Sequence, residues 1–144
     1  MRGYFSIGVE RLSKPMNAGN LFRSAHAFGA SYVYTVGGSY QANKAKSDTS
    51  KSVNHIPHYY YESFDDMTLP VDCTLVGVEL VDEAKLLPSF KHPLKASYLL
   101  GPEKGNISDK LLDKCNYIIK IPTKFCVNLA IAGAIVMYDR SISL

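Results

Sequence analysis

Short apolar runs alternate with longer amphipathic segments along the chain. Runs rich in β-branched and aromatic residues predict buried strands. These runs lie at residues 4–9, 32–36, 55–61, 73–80, 96–100 and 117–121. Since strands alternate with helical segments, the pattern predicts an α/β fold, with a mostly parallel sheet covered by helices on both faces. In such sheets ligands bind at the carboxyl ends of the strands.

Three segments predict helices. Residues 18–28 place four apolar side chains on one face. The second helix is predicted over 108–114 with Ser108 as N-cap, and the third over 128–140 with Asn128 as N-cap. The stretch 37–54 is different, since lysines stand there among Ser, Thr, Asn and Gly. It predicts a long loop, and loops of this length are often functional.

Composition limits the class of protein. The 144 residues are 47% hydrophobic, which fits one globular domain over residues 1–144. The net charge of +3 suits an RNA-binding protein and equally an enzyme without nucleic acid. The three cysteines form no CxxC pair, which argues against a zinc site or disulfide framework and favours the cytoplasm. No secretory signal and no apolar run long enough for a bilayer is visible, so we expect no membrane association. His55, His58 and His92 show no metal-ligand spacing beyond a weak HxxH, so we expect no metal.

Three segments that follow predicted strands are candidates for chemistry. "NAGNLFR" places Arg23 near the start of a helix. "LLGPEKGNIS" has glycines that let a ligand approach the backbone, although it is neither a Walker nor a Rossmann motif and an ordinary turn fits as well. "IPTKFCVNLAIAGAIVMYD" carries a small-residue face from Ala130 to Ala134. That face is typical of a buried core helix, and it also suits close packing against a second copy of the chain.

Together, in this order and spacing, the three segments resemble the motifs of the SpoU/TrmH family of RNA 2′-O-ribose methyltransferases, which belong to the SPOUT class. The resemblance covers residues 4–140. It implies a C-terminal deep trefoil knot that holds S-adenosylmethionine, and a homodimer in which two subunits complete each site. Knots are otherwise nearly absent from proteins, so periodicity alone predicts an unknotted sheet. The chain is similar to a minimal catalytic domain without the flanking RNA-binding domain of larger relatives.

The resemblance also implies roles for individual residues. The catalytic set is Arg23, Asn17, Asn20 and Glu103. The cofactor-binding set is Val78, Gly101, Gly105, Ile121, Cys126, Asn128 and Leu129. We expect RNA to be contacted by Lys14, Lys44, Lys46 and Lys51, although a lysine-rich loop is often only a solvated surface.

In the implied reaction, a methyl group passes to a ribose 2′-hydroxyl of tRNA or rRNA. A guanidinium titrates above about 12, so Arg23 is expected to grip a phosphate rather than to act as a free base. Asn17 and Asn20 would position that arginine, and Glu103 would orient backbone amides or an arginine of the partner subunit. Asn128 would tie the loops of the knot together.

Two departures from the family pattern keep alternatives open. The family usually has Ser at the position of Cys126, and often Ser or Thr at that of Ala130. A non-catalytic protein that binds cofactor or RNA is one alternative, although such a protein has little reason to keep Arg23 and Asn17. A methyltransferase that acts on another acceptor, such as a base nitrogen, is the second. The NxGNxxR motif of the ribose-acting branch argues against it.

Overall fold

A computed structural model of the chain describes residues 3–38 and 55–144. The seven strands are β1 (Tyr4–Glu10), β2 (Tyr32–Val36), β3 (His58–Tyr61), β4 (Thr74–Val78), β5 (Lys85–Leu86), β6 (Lys95–Leu100) and β7 (Tyr117–Lys120). The helices are α1 (Pro15–Phe28), α2 (Asp109–Lys114) and α3 (Leu129–Ser143). Two short 3-10 helices cover Phe64–Asp66 and Leu87–Ser89.

The strands form one sheet in the order β3-β2-β1-β6-β4-β7-β5, and every pairing is parallel. Side chains that alternate along the strands separate into two apolar clusters, one on each face of the sheet. One cluster packs against α1 and α3, and the other packs against α2. The predicted α/β architecture with helices on both faces is therefore confirmed. The trefoil knot stays a prediction.

Element boundaries differ from the prediction in instructive places. Helix α1 begins at Pro15 rather than at residue 18, because a proline at the first helical position lacks only an N–H that has no partner there. Arg23 consequently lies more than two turns into the helix. The hydroxyl of Ser108 does not cap α2, whereas the side chain of Asn128 does cap α3. Strand β5 was not predicted, since two residues are too short for a periodic signal.

The small-residue face of α3 lies inside the protein. Gly133 is buried, and a Cβ at this position would overlap Leu21 of α1 and come within 3.2 Å of the Leu100 side chain. Ala130 and Ala132 are 7% and 9% exposed. The expectation that this face could pack against a second copy was therefore wrong. Its small side chains instead let α3 lie close to α1 and the sheet.

The far end of α3 is anchored by a buried arginine. Arg140 is 2% exposed, and its guanidinium donates to the carbonyl oxygens of Tyr4, Pro93 and Leu94 and to the Tyr98 hydroxyl. His92 extends this network, since its ring nitrogens contact the Tyr98 hydroxyl at 2.6 Å and the Asp139 carboxylate at 2.7 Å. These contacts fix α3 against the amino-terminal end of β6. Among residues 3–38 and 55–144, no helix is long and apolar enough to cross a membrane.

Candidate functional site

A cavity of about 250 Å³ lies at the carboxyl ends of β4, β6 and β7, as expected for a parallel sheet. Residues 78–80 form one wall, and residues 100–103 with Gly105 form the next. The segment that leads from the end of β7 into α3 supplies the third. The start of α1 closes the cavity with Lys14 and Asn17. Segments far apart in the sequence therefore meet around one space.

The structure brings the predicted cofactor-binding residues together. The cavity is lined by Val78, Gly101, Gly105, Ile121, Cys126, Asn128 and Leu129. Asn17, Glu103 and Lys14 line it as well. Lys44, Lys46 and Lys51, which were predicted to contact RNA, lie outside the described residues.

Glu103 holds the loop after β6 to the loop between β1 and α1. Its Oε1 accepts hydrogen bonds from the backbone N–H and the hydroxyl of Ser13, both at 3.1 Å. Its Oε2 accepts from the Lys14 backbone N–H at 2.8 Å and from the Asn17 amide at 3.3 Å. Burial on its own would raise the pKa of Glu103, but the backbone and side-chain donors outweigh it and hold the pKa below its usual value. The carboxylate is thus a structural anchor of the site.

Asn128 connects the same network to the loop before α3. Its Oδ1 accepts from the backbone N–H groups of Ala130 at 2.8 Å and Ile131 at 3.3 Å, as a helix N-cap does. Its Nδ2 donates to Oδ1 of Asn17 at 3.0 Å. Asn17 therefore bridges Glu103 and Asn128, and the three polar side chains tie together the loops that enclose the cavity.

Arg23 lies in a shallow depression beside this cavity. The depression is lined by Asn20, Arg23, Ser24, Asn128, Ala130, Ile131 and Ala134. Asn128 lies on the boundary between the two spaces, because it lines both. Arg23 is exposed, and its guanidinium forms no hydrogen bond or ion pair with a described residue. Arg23 forms no hydrogen bond with Asn17 either, because the Asn17 side chain bonds to Glu103 and Asn128 instead. The guanidinium is available for an anion.

Two buried carboxylates hold the loop that leads from β6 into α2. Glu10 at the end of β1 accepts from the Ser108 N–H at 2.6 Å, and Glu79 just after β4 accepts from the Ile107 N–H at 2.7 Å. The Arg11 guanidinium donates to the Asn106 carbonyl oxygen at 2.6 Å. These contacts hold the loop closed around the glycine turn, residues 101–105, that lines the cavity.

Sequence reasoning missed two charged residues of the cavity, Glu79 and Lys120. Glu79 ends the apolar run "LVGVE", and Lys120 ends "YIIK". A charged residue at the carboxyl end of a buried strand could have identified both positions, since ligands bind at this edge of a parallel sheet. Lys120 donates from Nζ to the carbonyl oxygens of Val81 at 3.1 Å and Asp82 at 3.4 Å.

The arrangement can bring two ligands together. The cavity combines apolar walls, a glycine turn and carboxylates, which suits an amphipathic small molecule. The neighbouring depression offers an exposed guanidinium, which suits a phosphate. No group of side chains able to hold a metal ion occurs within the part of the chain that the structure describes.

The sequence matches the model of the SpoU rRNA Methylase family over residues 4–138. No curated protein matches the chain.

Several solved structures share the fold at low sequence identity. An rRNA methyltransferase from Sinorhizobium meliloti has a TM-score of 0.89 and 21% identity, over 99% of this chain and 57% of that one. AviRb, a SpoU methyltransferase from Streptomyces viridochromogenes in complex with AdoMet, has a TM-score of 0.84 and 22% identity, over 100% and 63%. A structure concerned with the 2-OH methylation of C/U34 on tRNA has a TM-score of 0.85 and 20% identity, over 99% and 92%. The chain thus spans less than two thirds of the length of the first two proteins.

The low pKa of Glu103 predicts how this anchor depends on pH. A carboxyl group with a depressed pKa in the folded state stabilises the protein above its ordinary pKa of about 4.3, and this contribution is lost as pH falls through the folded value. Glu103→Gln should lower the free energy of unfolding by about 0.5 kcal/mol at pH 7, because solvent screens this partly exposed carboxylate, and the difference from wild type should shrink as pH falls below about 4. Urea unfolding across this range measures it. Glu83→Gln, which removes an exposed carboxylate outside the cavity, is the control. A difference that stays constant down to pH 3 would contradict the anchoring role.

Proposed function

Because the chain belongs to the SpoU rRNA Methylase family, we propose that it transfers a methyl group from S-adenosylmethionine to a ribose 2′-hydroxyl of tRNA or rRNA. One observation carries the proposal. A cavity lined by the glycine turn and by the segment before α3 shares Asn128 with a depression that presents an exposed guanidinium. A small-molecule methyl donor and an RNA backbone would meet at this boundary. The solved structures with AdoMet and with 2-OH methylation are similar in fold and support the assignment.

The residues of the cavity fit S-adenosylmethionine. Val78, Leu100, Ile121 and Leu129 offer apolar surface for an adenine ring, and Gly101 lets a ligand reach the backbone. A Cβ at Gly101 would lie only 3.1 Å from the Ile107 backbone nitrogen, so the loop is closed as tightly as glycine permits. When bound, the cofactor supplies an electrophilic methyl carbon on a sulfonium. Cys126 lines the cavity where the family usually has serine, and Ala130 is nearly buried. We propose that backbone groups rather than these two side chains provide most polar contacts.

Arg23 positions the RNA. Its guanidinium would bind a phosphate next to the target ribose through two parallel hydrogen bonds, and a phosphate oxygen would take the proton of the hydroxyl. Alignment of the attacking oxygen with the methyl carbon can supply roughly 7–11 kcal/mol of the barrier. Asn20 lies in the same depression and would contact the RNA backbone. Since Asn17 contacts Glu103 and Asn128, its role is to fix the shared boundary of the two spaces.

We also propose a homodimer, formed through the outer face of α3. Ile131, Ile135, Tyr138 and Ile142 repeat at helical spacing and are 55%, 38%, 58% and 65% exposed. An apolar stripe of this kind on a helix is typical of an interface, and an isologous pairing would bury it on both copies. Ile131 also lines the depression of Arg23, so a second copy would lie next to that arginine. Residues 1–144 would form one catalytic domain with the family's trefoil knot, and the free cysteines suit a cytoplasmic enzyme.

Gly101→Val tests the cofactor cavity. The valine side chain would push against Ile107 and displace the loop that forms this wall of the cavity, so S-adenosylmethionine affinity should fall at least about tenfold. Calorimetry measures the affinity, and circular dichroism verifies that the variant is folded. Gly101→Ala, with less added volume, should lose less. A folded Gly101→Val protein with wild-type affinity would place the cofactor elsewhere.

Arg23→Ala tests the RNA role. Methyl transfer should fall about a hundredfold or more because the ribose loses its alignment, whereas S-adenosylmethionine affinity should stay unchanged. Arg23→Lys should restore little, since an ammonium cannot form the planar two-point contact. The product should be a 2′-O-methylated ribose, which mass spectrometry identifies and which resists alkaline cleavage. Lys95→Ala, which removes an exposed cation at the opposite end of β6, is the control.

The possible failures of this experiment have separate meanings. Full activity in Arg23→Ala removes the arginine from the reaction. Loss of cofactor affinity assigns Arg23 to the cofactor cavity. A methylated base would show that the acceptor is not the ribose.

Ile135→Asp tests the dimer. A buried carboxylate at the centre of the apolar stripe should convert a dimer of twice 15.9 kDa into a monomer, as measured by light scattering. Val71→Asp is the matched control, because Val71 is 85% exposed and lies outside α3. A wild-type monomer at micromolar concentration would overturn the proposal.

A further inference from the structure

Glu79 is a buried carboxylate with unused hydrogen-bonding capacity at the wall of the cavity. Glu79 is 8% exposed and lines the cavity next to Val78. Oε1 accepts the Ile107 N–H at 2.7 Å. Among residues 3–38 and 55–144, this N–H is the one hydrogen-bond donor to the side chain. A buried carboxylate is costly unless several donors satisfy it, so a ligand with hydroxyl or amino donors would complete this site.

Glu10 also holds the loop between β6 and α2, although it does not line the cavity. Glu10 is 6% exposed and accepts the Ser108 N–H at 2.6 Å, in the same way as Glu79 accepts that of Ile107. The two carboxylates lie at the carboxyl ends of β1 and β4, the strands on either side of β6. Glu10 does not line the cavity, whereas Glu79 does. Contact with the loop therefore explains Glu10 fully and Glu79 in part.

The position of Glu79 indicates which part of a cofactor it would meet. The reacting end of the cavity lies toward Asn17 and Asn128, next to the depression of Arg23. Asn17 follows β1 and Glu79 follows β4, and β6 lies between these two strands. The ends of β1 and β4 are thus two strand spacings, or about 10 Å, apart. A methyl group at the Asn128 end would leave the nucleoside of the cofactor at the β4 end, beside Glu79.

We propose that the Glu79 carboxylate accepts hydrogen bonds from the ribose hydroxyls of the cofactor's adenosine and thereby selects a ribonucleoside at this end of the cavity. The inference rests on the proposed function, since it assigns a part of the same cofactor site. A carboxylate is suited to this task because it offers lone pairs to two neighbouring hydroxyls at once, as acidic residues do in nucleotide sites of other folds. The Ile107 N–H fixes its orientation. Glu79 is a positioning residue and takes no part in the transfer step.

The test is a set of binding measurements by calorimetry. The proteins are the wild type, Glu79→Gln and Glu10→Gln, and the ligands are S-adenosylhomocysteine, its 2′-deoxy analogue and methylthioadenosine. Glu79→Gln keeps an acceptor for Ile107 but removes the charge, so affinity for S-adenosylhomocysteine should fall about tenfold. The wild type should lose about tenfold on removal of the 2′-hydroxyl, and Glu79→Gln should lose less than about threefold. Glu10→Gln, which removes a loop contact away from the cavity, should keep the wild type's tenfold penalty for the missing 2′-hydroxyl, whatever its effect on overall affinity.

Methylthioadenosine separates the ribose from the amino-acid part of the cofactor, which it lacks. If Glu79 contacts the ribose, Glu79→Gln should weaken methylthioadenosine and S-adenosylhomocysteine by the same factor. A weakening seen with S-adenosylhomocysteine alone would assign Glu79 to the cofactor's amino group and overturn the inference. Equal penalties for the missing hydroxyl in the wild type and in Glu79→Gln would overturn it as well.

Folding and the broader proposal are tested separately. Should Glu79→Gln fail to fold, Glu79→Asp keeps the charge but withdraws it by one methylene, and it should show the same reduced penalty for the 2′-deoxy analogue. If the wild type binds no S-adenosylhomocysteine, the proposed function fails and the inference fails with it. If the wild type binds S-adenosylhomocysteine but Glu79→Gln resembles Glu10→Gln with every ligand, the inference alone fails.

Discussion

The Glu103 carboxylate, with donors on both oxygens, is the interaction on which the site depends. It joins the loop after β6 to Ser13, Lys14 and Asn17, which lie 86 to 90 positions earlier in the chain. Asn17 in turn accepts a hydrogen bond from Asn128, which lies 111 positions later in the chain. A cavity built from separate loops has no regular hydrogen-bond ladder to hold its shape. A few polar side chains must therefore supply the connections, and Glu103 does so with four hydrogen bonds on its two oxygens.

Helix α3 serves the site because both of its ends are fixed. Asn128 caps the first turn at the cavity. Arg140 anchors the last turns to three backbone carbonyl oxygens near the amino-terminal ends of β1 and β6. Between them Gly133 lets the helix lie directly on α1. The inner face is thus used for packing in the monomer, and the outer face carries the apolar stripe. One helix orders the cavity on one side and offers an interface on the other.

Much of this architecture is visible in the sequence, because its strands are buried and parallel. Continuous apolar runs of this kind are conspicuous, and the helices have clear periodicity. The small residues of α3 show the limit of such reasoning. Alanine and glycine at these positions indicate close packing, but the partner of that packing, here Leu21 and the sheet, is a matter of tertiary structure.

In the site, too, the sequence identifies residues but not their contacts. The sequence motifs identify the residues that line the cavity, since glycines and asparagines after strands mark ligand-binding loops. They do not show that Asn17 contacts Glu103 and Asn128 rather than Arg23, because hydrogen bonds between loops depend on how the loops meet. Glu79 was overlooked for a related reason. An acid at the end of an apolar strand has meaning only once its neighbours in the sheet are known.

The cysteines have a practical consequence. Burial raises the pKa of Cys115 to about 11 and also raises that of Cys73, which leaves both thiols protonated and poorly reactive near neutral pH. Cys126 is the exposed cysteine, and it lines the cavity. A thiol-alkylating label would therefore attach first at this wall, and a ligand in the cavity would shield the sulfur from the reagent. The protein carries its own covalent reporter of occupancy, which needs neither RNA nor turnover to be read.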